Sequence, residues 1–250
     1  MANCFLKGHG SCSEKISKEH YISRTVLEAL SNNGGFQIGG LPWQPDQTLQ
    51  KIGIQSLVSK ILCQTHNSSL SPLDAVAGEL FQVIDSADKS PATLPTVTRL
   101  DGLFIERWFV KVLCGLAAAA GWNNGIVPEQ WKLLLLGEQW PDHCGLYLPI
   151  PLEQQVLAKD LFIDSIVDQE TREVLAASFR IAGVSFHILL GRSDNPSDWG
   201  IHRPRGIIFL NEAGEKCLEF VWPHLTEQAV IYTKVGATKE RPPQWDGWKE

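Results

Sequence analysis

Apolar residues recur at helical spacing in four stretches of this chain, and alternate at strand spacing mainly in its last hundred residues. The first helix is expected from Ser23 to about Leu30, with Ser23 as N-cap and Val26, Leu27 and Leu30 on one face. Asn32-Asn33-Gly34-Gly35 stops it. Ser71-Pro72-Leu73-Asp74 reads as the start of a second, with Ser71 as cap, Pro72 in the first turn and Asp74 as the capping acid, continuing through Ala77, Leu80, Phe81 and Ile84. A long helix from about Leu103 to Ala120 carries Phe104, Trp108, Val112 or Leu113 and Leu116 at helical spacing. Its Arg107 and Lys111 read as solvated bases beside a buried tryptophan. Pro128 opens a fourth helix through Trp131 and Leu136, which Gly137 closes.

Short strands are expected at residues 15–20 and from Ser59 to Cys63, and two hairpins follow Pro151. Val174–Ile181 and Val184–Leu190 flank Ala182-Gly183, and Gly206–Leu210 and Lys216–Trp222 flank Asn211 to Gly214. Gly39 to Asp46 is an irregular loop with Trp43 as its anchor, and Asp88 to Thr98, rich in small polar residues and proline, reads as a linker. The expected class is therefore α+β. An N-terminal unit (1–88) of strand, loop, strand and helix precedes a companion unit (99–250) that is helical first and then an antiparallel β-rich module.

Charge changes this picture by being uneven. Residues 1–70 hold six Lys and Arg against four Asp and Glu, whereas the remaining residues hold sixteen bases against twenty-four acids. Bulk attraction to a polyanion is excluded for the whole chain, so any nucleic-acid site is expected to be local and N-terminal. The acidic C-terminal module favours a protein partner instead. No segment approaches the roughly eighteen uninterrupted apolar residues of a membrane span. The start, Met-Ala-Asn-Cys-Phe-Leu-Lys-Gly-His, lacks the basic and apolar regions of a secretion signal, and the expected location is cytoplasmic.

In that setting the six cysteines at irregular spacing argue for thiols or metal ligands over disulfides. Cys114 and Cys217 sit in apolar or strand-like runs and read as buried free thiols, and His143-Cys144 has no spaced partner. Cys63 and His66 differ. Two residues apart, they match the reach with which a tight turn presents two side chains to one tetrahedral zinc ion. Upstream, Cys4, His9 and Cys12 offer the other half, so Cys4, Cys12, Cys63 and His66 assemble a four-ligand set, with His9 as alternate.

Sharing one zinc between Cys12 and Cys63 would also bring the adjacent Glu19 and His20 near Asn67. A carboxylate there can hold a hard divalent ion, Mg²⁺ or Mn²⁺, with Asn67 as a second oxygen ligand. The neutral imidazole, facing the other side of the strand, can take a proton from water attacking phosphorus.

Cys12 to His20 with Ile22, and Leu62-Cys63-x-x-His66-Asn67 with Leu70 and Asp74, resemble the HNH endonucleases of the treble-clef, ββα-metal type. The resemblance covers roughly residues 4–85. It implies structural zinc on Cys4, Cys12, Cys63 and His66, catalytic-ion contacts from Glu19 and Asn67, and His20 as general base. The implied activity is metal-dependent phosphodiester hydrolysis of nucleic acid, DNA before RNA. The chain departs from the family pattern in its Cys-x7-Cys first knuckle, in His66 where a cysteine is usual, and in having no asparagine between Ser59 and Leu62, where the family places the residue that orients the base. The competing expectation is a noncatalytic, zinc-stabilised protein-interaction module.

Overall fold

The computed structural model describes residues 4–31, 35–41, 43–45, 48–87, 96–149, 160–168, 170–171, 173–211, 214–223 and 230–234. In the N-terminal part, β1 (Glu19–His20) and α1 (Arg24–Leu30) lead to β2 (Phe36–Gly39), β3 (Gln50–Ile52), β4 (Val58–Ser59) and α2 (Gln64–Ser86). β5 (Thr96–Asp101) runs directly into α3 (Gly102–Ala120), and α4 (Glu129–Leu136) follows. The rest is strand: β6 (Gly145–Leu148), β7 (Asp160–Val167), β8 (Val174–Ile181), β9 (Val184–Leu189), β10 (Ile201–His202), β11 (Gly206–Asn211), β12 (Gly214–Val221) and β13 (Val230–Lys234).

These strands form three sheets. β1 and β4 pair alone, antiparallel. A seven-stranded sheet has the order β10-β6-β9-β8-β7-β2-β3, and a four-stranded sheet the order β13-β11-β12-β5. The large sheet takes strands from both expected units: β2 hydrogen-bonds parallel to β7, with Ile38 opposite Leu161. The C-terminal strands are not purely antiparallel. β13 lies parallel to β11, and β5 parallel to β12. The α+β class stands.

Helix α3 is the centre of the molecule. Thirteen of its residues are buried, on all sides, as expected of a helix covered by neighbours on every face. Phe81 of α2 meets Trp108 at 5.5 Å between ring centroids, Trp108 meets Phe109 at 5.0 Å, and Phe109 meets Phe179 of β8 at 4.8 Å and Phe186 of β9 at 5.4 Å. This aromatic chain joins the N-terminal helices to the large sheet. Gly115 lets α3 approach the chain leaving β1, since a Cβ there would lie 2.3 Å from that of Tyr21.

Several sequence expectations change. Helix α2 starts at Gln64, about two turns before the start expected at Ser71, because Cys63 serves as N-cap and accepts from the His66 backbone N–H at 3.5 Å. Pro72 is therefore inside the helix. It cannot donate to the Ser68 carbonyl, which accepts instead from Ser71 Oγ at 2.9 Å. Ser23 does cap α1 in position, but makes no side-chain capping bond. Trp43 is 52 % exposed and is not the loop's anchor among the described residues; the buried Gln44 is, its amide donating to the Ile38 carbonyl and accepting from Leu41 N, each at 3.0 Å. Thr96 to Thr98 belong to β5 and not to a linker, and residues 88–95 lie outside the described part. The strand expected at 15–20 shortens to Glu19–His20, and that at Ser59–Cys63 becomes Val58–Ser59, with Cys63 bridging Ile16 alone. Both hairpins are found, and Ala182 and Gly183 adopt the two positive φ angles (49° and 79°) of a tight two-residue turn. Among the described residues, no helix is long and apolar enough to cross a membrane.

Candidate metal centre

The N-terminal turns are laced to the chain before α2. Phe5 N donates to Ile61 O (3.0 Å), Ser17 N and Oγ both donate to Leu62 O (3.0 Å each), and Gln64 N donates to Lys15 O (2.9 Å). Leu6, fully buried, pins the first loop, whose Gly8 and Gly10 have φ of 100° and 78°. These ties bring Cys4 and Cys12 over the start of α2, where Cys63 and His66 project.

The four expected ligands converge. Cys4 Sγ, Cys12 Sγ and Cys63 Sγ lie 3.3, 3.5 and 3.3 Å from His66 Nδ1, and all four atoms are within 4.8 Å of one another. With Zn–S about 2.3 Å and Zn–N about 2.05 Å, a tetrahedron has S···N edges of about 3.5 Å. The cluster already has that size. His66 Nε2 lies 2.7 Å from the carbonyl of His9, which fixes the imidazole with Nε2–H donating and Nδ1 free to bind a metal. His9, the alternate ligand, thus contributes its backbone, while its ring pairs with Glu129 at 2.9 Å. Its side chain is not part of the cluster.

Electrostatics at the cluster ask for a cation. Burial raises the Cys63 thiol, but donors from the His66 backbone and Ser13 outweigh it and bring the group down to about 6. Cys12 is pushed up to about 11 by desolvation and by its hydrogen bonds with Cys4 and Cys63. One thiolate forms easily at the helix N-terminus, and further ones accumulate only against positive charge. Cys4, Cys63 and His66 are buried and Cys12 is exposed.

Glu19, His20 and Asn67 lie next to this cluster, on β1 and in the first turn of α2. Glu19 is 8 % exposed, and Lys111 Nζ of α3 reaches its Oε1 at 2.7 Å. The Asn67 side chain hydrogen-bonds to the same carboxylate. Lys111, 2 % exposed and not a solvated base, also donates to Asp74 at 2.8 and 2.6 Å. Asp74 is thus no helix cap. It additionally accepts from Ser23 Oγ, which in turn accepts from Trp108 Nε1 at 2.6 Å. Burial raises the Glu19 carboxyl, with the pull of Lys111 opposing it. Neighbouring His20 faces the other side of β1. Burial lowers its pKa, and its buried Nε2 has no hydrogen-bond partner among the described residues.

Glu19 and Asn67 do come together, yet they do not fit a divalent ion. Mg²⁺ binds carboxylate oxygen at about 2.0–2.1 Å and keeps several waters around it. Here a buried ammonium holds the Glu19 oxygen at 2.7 Å, in the place such an ion would take.

Lys111, Ser23 and Trp108 were not legible as a group from motif spacing. The available signal was Lys111 itself, a lone charge in Trp108-Phe-Val-Lys-Val-Leu-Cys114, which must find carboxylates once the helix is buried on every side. Elsewhere, Cys114 is fully buried, whereas Cys217 is only half-buried. Cys144 is buried, its Sγ lies 3.5 Å from the Gly191 carbonyl, and desolvation raises its thiol, which makes it a poor nucleophile. A groove of about 790 Å³ lies beside it, lined among others by His143, Leu190 and Arg192. No protein-family model, no curated protein and no solved structure matches the chain.

Proposed function

We propose that this is a noncatalytic, zinc-organised interaction protein. One structural Zn²⁺ on Cys4, Cys12, Cys63 and His66 folds a treble-clef-like unit of the ββα type, with β1, β4 and the start of α2 as its parts. The observation that carries this reading is Lys111, whose ammonium stands between Glu19 and Asp74 where hydrolysis would need an open carboxylate. The acidic balance of residues 71–250 suits a protein partner better than a polyanion.

Two observations favour a second reading, metal-dependent phosphodiester hydrolysis of nucleic acid, DNA first, at an HNH-like site. Asn67 sits beside Glu19 as that resemblance requires, and His20 Nε2 has no partner to prevent it from accepting a proton. Incubation of supercoiled plasmid with Mg²⁺ or Mn²⁺ separates the two, using wild type and His20→Ala at equal zinc content. The first reading expects no nicking by either protein. Nicking by wild type that His20→Ala abolishes would establish the second.

A further inference from the structure

The disagreement between the Glu19 site and a divalent ion carries its own consequence. We propose that Lys111 is a built-in cation, standing where the HNH resemblance places a divalent ion and making this position independent of metal. The inference deepens the noncatalytic reading and rests on the same carboxylates.

An ammonium has three protons to donate, and Lys111 Nζ lies within 2.8 Å of three carboxylate oxygens: Glu19 Oε1, Asp74 Oδ1 and Asp74 Oδ2. Those oxygens come from β1 and α2, so a single side chain from α3 ties these two elements together beside the Cys4, Cys12, Cys63 and His66 cluster at the start of α2. The surroundings complete the shell. Ser23 Oγ donates to Asp74, and the Asn67 side chain bonds to Glu19, so both carboxylates are held by groups other than the ammonium. Lys111 and Glu19 are buried, 2 % and 8 % exposed, and Asp74 closes the position on its half-buried side.

Formal charge explains why the cation must be there. A buried carboxylate, Glu19, beside a half-buried one, Asp74, is disfavoured without a counter-ion, and one ammonium offsets one of the two negative charges. Removing Lys111 would leave two carboxylates, an amide and a hydroxyl around a space vacated by a lysine side chain. That is an all-oxygen donor set whose charge a divalent ion cancels completely. The natural protein should therefore leave Mn²⁺ unbound here, and Lys111→Ala should create a Mn²⁺ site.

The test is a titration of zinc-loaded protein with Mn²⁺, reading free Mn²⁺ by electron paramagnetic resonance up to about millimolar, the range in which weak carboxylate sites fill. Wild type is expected to bind none at this position, Lys111→Ala one equivalent, and Lys111→Ala with Glu19→Gln at least about tenfold more weakly. Binding by wild type that Glu19→Gln removes would overturn the proposal. So would folded, zinc-containing Lys111→Ala that binds no Mn²⁺. Should Lys111→Ala not fold, the wild type decides alone: a slowly exchanging Lys111 Nζ resonance, unbroadened by Mn²⁺, supports the assignment, and its broadening overturns it. Plasmid nicking by a wild type whose Glu19 site stays free of Mn²⁺ would sink the noncatalytic reading while leaving Lys111 in place. Mn²⁺ bound at that site without nicking would do the reverse.

Discussion

Helix α3 carries two buried charges five residues apart, Glu106 and Lys111, about 140° from each other around the helix, and they are matched in opposite ways. Glu106 faces the C-terminal strands. Arg203 grips it with two parallel bonds (2.9 and 3.1 Å), and Leu146 N donates to it at 2.8 Å. The local structure is shaped for this pair: Arg203 sits at φ 44°, and a Cβ on Gly145 would lie 2.3 Å from Glu106 Oε1. Lys111 faces the N-terminal elements β1 and α2 and meets two carboxylates, one from each. The first centre is neutral and closed, whereas the second carries an excess negative charge. One is a clamp, and the other has the donor set of a cation site already filled.

If that contrast is right, substitutions at the two centres should differ in character more than in size. Glu106→Ala leaves Arg203 and the Leu146 N–H without their acceptor and should cost about 3–5 kcal/mol by denaturant titration; because burial raises the Glu106 carboxyl of the wild type, that deficit should grow and not shrink on acidification. Lys111→Met should cost a similar amount near neutral pH, but the loss relative to wild type should shrink on acidification. The sign follows from Glu19, whose pKa burial already raises. A carboxyl raised above its unfolded value destabilises as pH rises past that value, and the penalty fades as pH falls back towards it. A pH-independent deficit for Lys111→Met would erase the distinction between the centres.

Ser23→Ala sharpens the comparison from the side. It removes the acceptor of Trp108 Nε1 and a donor to Asp74, and about 1–3 kcal/mol should be lost. In a double-mutant cycle this loss should couple to Lys111→Met, which shares Asp74, and add simply to Glu106→Ala. The smallest effect is expected outside both centres. Ala182→Gly relieves a positive φ in the β8–β9 turn and should stabilise by about 0.5–1 kcal/mol in either background.

What could be read in the sequence, and what could not, divides along physical lines. The cluster of Cys4, Cys12, Cys63 and His66 was legible because a metal site demands particular residue types at short spacing, and Cys63 and His66 stand two residues apart with cysteines upstream to complete the set. The hairpins were legible because Ala182-Gly183 and Asn211 to Gly214 combine turn chemistry with period-two flanks. The start of α2 was misplaced because Ser71-Pro72-Leu73-Asp74 satisfies every local rule for an N-terminus, while the actual cap is Cys63, whose role depends on partners more than fifty residues upstream in space and chain. Lys111 was misread for the same reason. Its spacing within α3 suits a solvated face, and only the burial of that helix by α2 and the large sheet turns it into an interior charge. Trp43 and Gln44 reversed roles because anchoring there depends on the Ile38 carbonyl, a contact with no signature in side-chain pattern.

The central claim is that Cys4, Cys12, Cys63 and His66 hold one structural zinc ion, with His9 supporting it through its carbonyl alone. Metal content of the purified chain by inductively coupled plasma mass spectrometry tests it most directly, on wild type, Cys63→Ser and His9→Ala. One zinc per chain in wild type and in His9→Ala, lost together with folded structure in Cys63→Ser, is the expected result. Zinc absent from wild type, or lost in His9→Ala and retained in Cys63→Ser, would contradict it.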